Sequence, residues 1–256
     1  MTHTVAPALS ALLERFIDYA GLFPPAQLPL DEALLNYKNY RNGEYAWMLR
    51  CFVVSAAQLK YVPERYDTYL SVLSEADEVR AAVIESNSIV AAQKPVYCEV
   101  SLANLDKLNA VKNSPCFAKI RTGGLKPEAI PSPAEVATFI LKCAELRLPF
   151  KATAGLHHPI RASYPLCYEP DALHSVMHGF LNVLMASAFA WHGYKKIEPI
   201  LAETDPRAFV FNERAHWRNE SLSAEEILDA RSEFIHSVGS CSFDEPVQEL
   251  KALHLL

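Results

Sequence analysis

Two lysines occupy places where lysine is seldom found. Lys119 lies within the run 116–121 and Lys151 within 149–155, and each run is apolar and leads into a glycine-bearing turn. Burying an ammonium is costly unless it is paired or doing chemistry. A desolvated lysine beside a second cation has its charged form disfavoured. The neutral amine so produced adds to a carbonyl carbon and yields an imine, and a nearby carboxylate can carry the protons. Asp18 and Glu99 are the acidic candidates for that role. They could equally serve as internal ion-pair partners for the two lysines.

Other chemistry-bearing residues fall where apolar runs end. In chain order they are Asp18, Arg50, Glu99, Lys119 with Arg121 and Thr122, Lys151 with His157 and His158, Glu213 with Arg214, and Asp244 with Glu245. Arg50, Arg121, Thr122, His157 and His158 are read as substrate-binding groups. His157 or His158 with Glu99 and Asp18 makes an alternative, a divalent-metal site that polarises a carbonyl or activates water. Adjacent residues at a strand end point different ways, so both histidines on one ion would need a bent loop. A hydrogen-bonding or proton-transfer role for one histidine is the simpler reading, and no metal is assigned. His174 and His178 are four apart, the spacing of one helix face, and read as a surface pair or a satisfied one.

These residues need elements to position them. Leu9, Leu12, Leu13 and Phe16 form the apolar stripe of an N-terminal helix. Strand-like runs follow at 16–22, 46–54, 69–73, 95–100, 116–121, 149–155, 208–211 and 237–242, separated by helical patterns. The helices are expected over 31–41, 77–85, 105–112, 132–146, 171–192 and 224–235, with Asp31 and Ser132 at N-termini. Eight strands alternating with helices predict a single α/β domain over 1–256, a (β/α)8 TIM barrel with an N-terminal helix. An open doubly wound sheet would want a glycine fingerprint after its first strand, and there is none. In a barrel the reacting groups sit at the carboxyl ends of strands, which is where the two lysines fall.

Composition agrees and excludes several classes. Half of the 256 residues are hydrophobic, 21% are charged, and the formal net charge is −6, so the chain can bury a large core and carries no basic field for nucleic acid or an anionic membrane. No stretch of eighteen apolar residues occurs, and Met1–Phe16 lacks the basic flank of a secretory signal. Six scattered cysteines without a C-x-x-C pair read as reduced, mostly buried thiols. The expectation is a soluble cytoplasmic enzyme acting on a small molecule, with self-association left open. A third reading is a non-catalytic ligand-binding or assembly protein, in which Trp191, Tyr194, Trp217 and Phe234 serve subunit contact.

The lysine runs resemble a known family. Phe-Lys-Ala-Thr-Ala-Gly-Leu-His at 150–157 is similar to the F-K-x-x-G-G-[IV]-R strand of deoxyribose-phosphate aldolases, and 118–123 resembles their K-T-S-T-G strand. Phe16-Ile17-Asp18-Tyr19 looks like the family's L-I-D-H start, and Gly239-Ser240-Cys241-Ser242 its closing G-[AT]-S-S phosphate turn. The resemblance covers about forty residues in four pieces. It implies class I aldolase-type lyase chemistry on a barrel without a cofactor: Lys119 forms the Schiff base, Lys151 destabilises its ammonium form, and Asp18 assists proton transfer. Glu99 has no counterpart in the motif and stands on its position alone. Asp244 and Glu245 follow the closing turn, where two carboxylates would repel a phosphate.

Overall fold

A computed structural model describes residues 5–256. Its centre is a closed barrel of eight parallel strands in chain order: β1 (Ile17–Tyr19), β2 (Leu49–Ser55), β3 (Leu70–Leu73), β4 (Val83–Ser86), β5 (Val96–Glu99), β6 (Phe117–Arg121), β7 (Phe150–Thr153) and β8 (Ile235–Ser240). β8 pairs with β7 on one side and closes on β1 on the other, with Ile17 opposite Val238. The strands are buried on both faces, which is why they read as continuous apolar runs rather than alternating ones. This is the α/β barrel with an N-terminal helix, Pro7–Leu13, that the sequence predicts. Met1–Thr4, part of the N-terminal stretch read above, lie outside the described residues.

Helices cover most of the outside. Pro133–Glu145 is fixed at its start by a capping box, Ser132 with Glu135, and buries Val136, Phe139, Ile140 and Cys143 against the barrel. Leu30–Arg41 and Lys107–Lys112 lie in other links, and Asp244–Ala252 follows β8. The links β3–β4 and β4–β5 contain no helix.

Three sequence expectations are corrected. The helix expected over 77–85 does not form; its end is strand β4. The run at 208–211 is not a barrel strand. It forms Phe209–Phe211 at the edge of a three-stranded antiparallel sheet with Arg214–Trp217 and Glu220–Ser223. Its alternating exposure, Phe209 buried and Val210 open, marks a half-covered antiparallel strand. The helix expected over 171–192 is shorter, Phe180–Trp191, because His174–Met177 pairs with Ala162–Pro165 as a hairpin.

The hairpin, this helix, the small sheet and the helix Ala224–Glu233 all belong to one long excursion between β7 and β8. Phe180–Trp191 is buried on nearly every face because it is packed between the barrel and the rest of the excursion. Its one buried amide, Asn182, donates to Ile200 O at 2.8 Å and Glu203 O at 2.9 Å, and accepts from Arg161 N at 2.9 Å. The N-terminal helix docks on the same region, with Ala8 N donating to Asn212 O at 3.1 Å. Trp217 and Phe234 are buried, Trp191 stacks on Phe234 with Arg147 over its ring, and Tyr194 packs on Phe189. These aromatics serve the core. All six cysteines are free and five are buried. No described helix is long and apolar enough to cross a membrane.

Candidate active site

Each of the eight strands sends at least one polar side chain into a network along the barrel axis, and β5 sends two, Glu99 and Tyr97, whose hydroxyl accepts from Arg50 at 3.2 Å. Lys151 of β7 lies between two carboxylates, 2.5 Å from Asp18 Oδ2 of β1 and 2.6 Å from Glu85 Oε1 of β4. Lys119 of β6, opposite Lys151 in the sheet register, reaches the other oxygen of Glu85 at 3.3 Å and Glu99 Oε2 of β5 at 3.1 Å. Arg50 of β2 donates to Asp18 Oδ2 at 3.1 Å and to Ser237 Oγ of β8 at 2.9 Å. Ser237 donates onward to Asp18 at 2.7 Å, and Ser71 of β3 donates to Glu85 at 2.7 Å. Arg50, Lys151 and Lys119 thus alternate with Asp18, Glu85 and Glu99, three cations against three anions.

Alternation decides the protonation states. Burial alone would raise Asp18 and Glu85, but Lys151 with Arg50 outweighs it for Asp18, and Lys151 with Lys119 for Glu85. Asp18 is held well below the carboxylate range and Glu85 at about 2. Burial would lower Lys151, yet Asp18 and Glu85 together push it above the ordinary lysine value. Lys151 is therefore a fixed cation with no exposed surface. It is a poor nucleophile and a good counter-charge.

Lys119 is different in one respect: it faces a cavity. About 310 Å³ of space opens at the carboxyl ends of the strands, bordered by Lys119, Glu85, Arg121 and His157. On its other side Lys119 borders a second cleft, shared with Glu99, Ser74 and Asn87. Lys119 is 4% exposed, while the Glu99 side chain is 24% exposed.

The other expected residues separate by depth. Arg121 is exposed at the mouth. Thr122 turns away and clamps two strand ends, donating to Ala154 O at 2.8 Å. That clamp draws the chains so close that a Cβ on Gly155, at φ +76°, would stand 3.2 Å from the Cα of Gly123. Arg50 sits second in β2 and lines a separate cavity with Tyr97, Arg231 and His236, so it does not border the Lys119 cavity. Glu213 and Arg214 lie at the small antiparallel sheet, where Arg214 bonds Ser221. Asp244 and Glu245 open the helix after β8.

The histidines do not converge with Glu99 and Asp18. His157 Nδ1 is 3.1 Å from Ser240 Oγ and 3.6 Å from Cys241 Sγ, whereas His158 stacks on Tyr164 and bonds Glu249 at 2.6 Å. Among the described residues no three His, Cys, Asp or Glu side chains stand together as ligands. His174 and His178 share no helix: His174 is exposed on the hairpin, and His178 is buried, donating from Nε2 to Pro131 O at 2.7 Å.

Burial, assisted by neighbouring His158, holds His157 down at about 3. Burial with Arg161 holds His178 at about 4, and burial with Arg50 and Arg231 does the same for His236. In the unfolded chain each takes a proton near pH 6.5, so stability is complete above that pH and falls as pH drops toward 4. Each histidine contributes at most about 2 kcal/mol of loss between pH 7.5 and 5. Asp18 and Glu85, depressed instead, add their loss only below about pH 5, where unfolded carboxylates begin to bind protons. Urea unfolding at pH 7.5, 6 and 5 should show this early loss, and His178→Gln should flatten it. A stability unchanged down to pH 5 would contradict these protonation states.

Glu85, Ser71, Ser237 and Tyr97 are the site residues that the sequence reading leaves out. Glu85 had a signal: it is an acid within Val83-Ile84-Glu85-Ser86, an apolar run short enough to be absorbed into a helical pattern. Small hydroxyls such as Ser71 and Ser237 carry none. Set against known protein families, curated proteins and solved structures, the chain has no match.

Proposed function

We propose that this barrel is an enzyme whose Lys119 forms an imine with a small carbonyl compound, in aldol-type carbon–carbon bond cleavage or formation. The observation that carries the reading is the unequal pair: Lys151 is locked between Asp18 and Glu85, while its neighbour Lys119 opens on a cavity on one side and on the other meets Glu99, a partly solvated carboxylate of the second cleft. Lys151 occupies Glu85, which leaves Glu99 as the carboxylate free to exchange a proton with Lys119.

The chemistry follows from that placement. Glu99 takes a proton from the Lys119 ammonium, and the neutral nitrogen forms a bond to the carbonyl carbon while the π pair moves to oxygen. Glu99 returns its proton to that oxygen, takes a second proton from the nitrogen and passes it to the new hydroxyl, which leaves as water while the freed nitrogen lone pair completes the iminium. The iminium then accepts the electron pair of the Cα–Cβ bond to become an enamine, while the β-hydroxyl gives its proton to the Glu99 carboxylate and that fragment leaves as the second carbonyl compound. The fixed charges around it are already oriented when charge develops, as electrostatic stabilisation requires. The resemblance to deoxyribose-phosphate aldolases supports the same assignment of the two lysines.

Borohydride reduction in the presence of aldehydes and 2-oxo acids, followed by peptide mass mapping, tests the reading. The expected adduct is on Lys119, with none on Lys151. If no carbonyl compound labels Lys119, the imine mechanism is wrong.

A further inference from the structure

Much of the cavity over Lys119 is lined by apolar side chains. Phe23, Pro24 and Pro25 follow β1, Leu125 follows β6, and Leu166 and Met177 come from the hairpin region. Among the cavity's borders the charged side chains are Glu85, Lys119 and Arg121. The wall beyond β7 and β8 is uncharged as well. His157 is neutral there, and burial pushes the Cys241 thiol up to about 11.

A phosphate would need the opposite. In barrels of this kind a phosphate sits on the loops after the last two strands, against the N-terminus of a helix. Here that place is already filled. Ser240 Oγ donates to Ser242 O at 2.6 Å, and Ser242 Oγ accepts the Glu245 N–H at 3.2 Å. The helix opens with Asp244 and Glu245, and Tyr40 holds Asp244 in place at 2.5 Å. The Ser242 and Glu245 amides are in use, and the first turn carries two carboxylates, which oppose an anion at that helix start.

We infer that the carbonyl compound taken up at Lys119 is unphosphorylated and carries an apolar chain, which lies against Phe23, Leu125, Leu166 and Met177. This rests on the imine reading for its reacting end, but the apolar walls can be tested apart from it. Burying one more methylene should tighten binding about threefold to fourfold.

Methyl-labelled methionine separates the two ideas. Met177 borders the cavity, whereas Met48 and Met185 are buried elsewhere and report on the fold. Butan-1-ol and hexan-1-ol, which cannot form an imine, should shift the Met177 resonance and leave the other two, hexan-1-ol at about tenfold lower concentration. Glycerol 3-phosphate should shift none. Hexanal should then label Lys119 under borohydride at least tenfold faster than glyceraldehyde 3-phosphate. Leu125→Glu, a change at an exposed rim position, should slow hexanal labelling more than fivefold. Shifts of Met177 by hexan-1-ol without any labelling of Lys119 would retain the apolar site and remove the imine. Faster labelling by glyceraldehyde 3-phosphate, or a Met177 shift with glycerol 3-phosphate alone, would overturn the inference.

Discussion

Lys151→Met is expected to lower the free energy of unfolding by about 3–5 kcal/mol, the range for breaking a buried ion pair from one side. The ammonium removed is fully buried and is the shortest link in the axial network. Asp18 keeps Arg50 and Glu85 keeps Lys119, so the damage is one uncompensated negative charge rather than two orphaned carboxylates. That makes the rescue specific. Lys151→Met combined with Glu85→Gln restores the balance, because Arg50 and Lys119 then face Asp18 and Glu99, and Ser71 can still bond the new amide. The double variant should recover more than half of the loss in urea unfolding. Adding Ser71→Ala to Lys151→Met instead should recover none. A Lys151→Met protein as stable as the parent would mean that the six charges are not closed on one another.

Lys119→Met should do the reverse, abolishing imine trapping while costing only about 1 kcal/mol, a typical net value for a lost hydrogen-bonded contact. Glu85 keeps Lys151, and Glu99 is exposed enough to be hydrated. Glu99→Gln should leave the fold and Lys119 in place yet slow trapping about a hundredfold, the lower end for losing a general acid–base group. The readout that separates proton transfer from simple binding is rate against concentration: the maximal trapping rate should fall while the half-saturating aldehyde concentration changes little. Equal trapping rates in Glu99→Gln and the parent would assign the proton transfers elsewhere.

The legible part of this site is the part whose residues contradict their surroundings. Lysines inside apolar runs can be found without coordinates, and so can Asp18, because a buried charge demands a reason. Glu85 makes the same contradiction, but its strand is four residues long and follows Glu75–Ala82, a stretch of good helix formers. Propensity summed over that window outweighs the short strand, while the pairing with β3 and β5 that decides the matter is non-local. Arg50 was visible as a charge but not its depth, since nothing local tells the second residue of a strand from the last. The barrel itself was legible from alternation. The excursion after β7 was not, because an antiparallel edge strand such as Phe209–Phe211 offers the same apolar letters as a barrel strand.

The closure of β1 on β8 joins the two ends of the chain across the barrel seam. The two strands are about 220 residues apart in sequence, and contacts of such separation slow folding. Until β8 inserts, β1 and β7 each present an open parallel edge to other chains. The docking of the N-terminal helix on the small sheet, through Ala8 and Asn212, shortens that interval. It brings the first strand beside the segment that leads into the last, so the search for closure becomes local. A chain assembled this way should refold slowly and lose yield as its concentration rises, with the vulnerable time ending when the final strand enters.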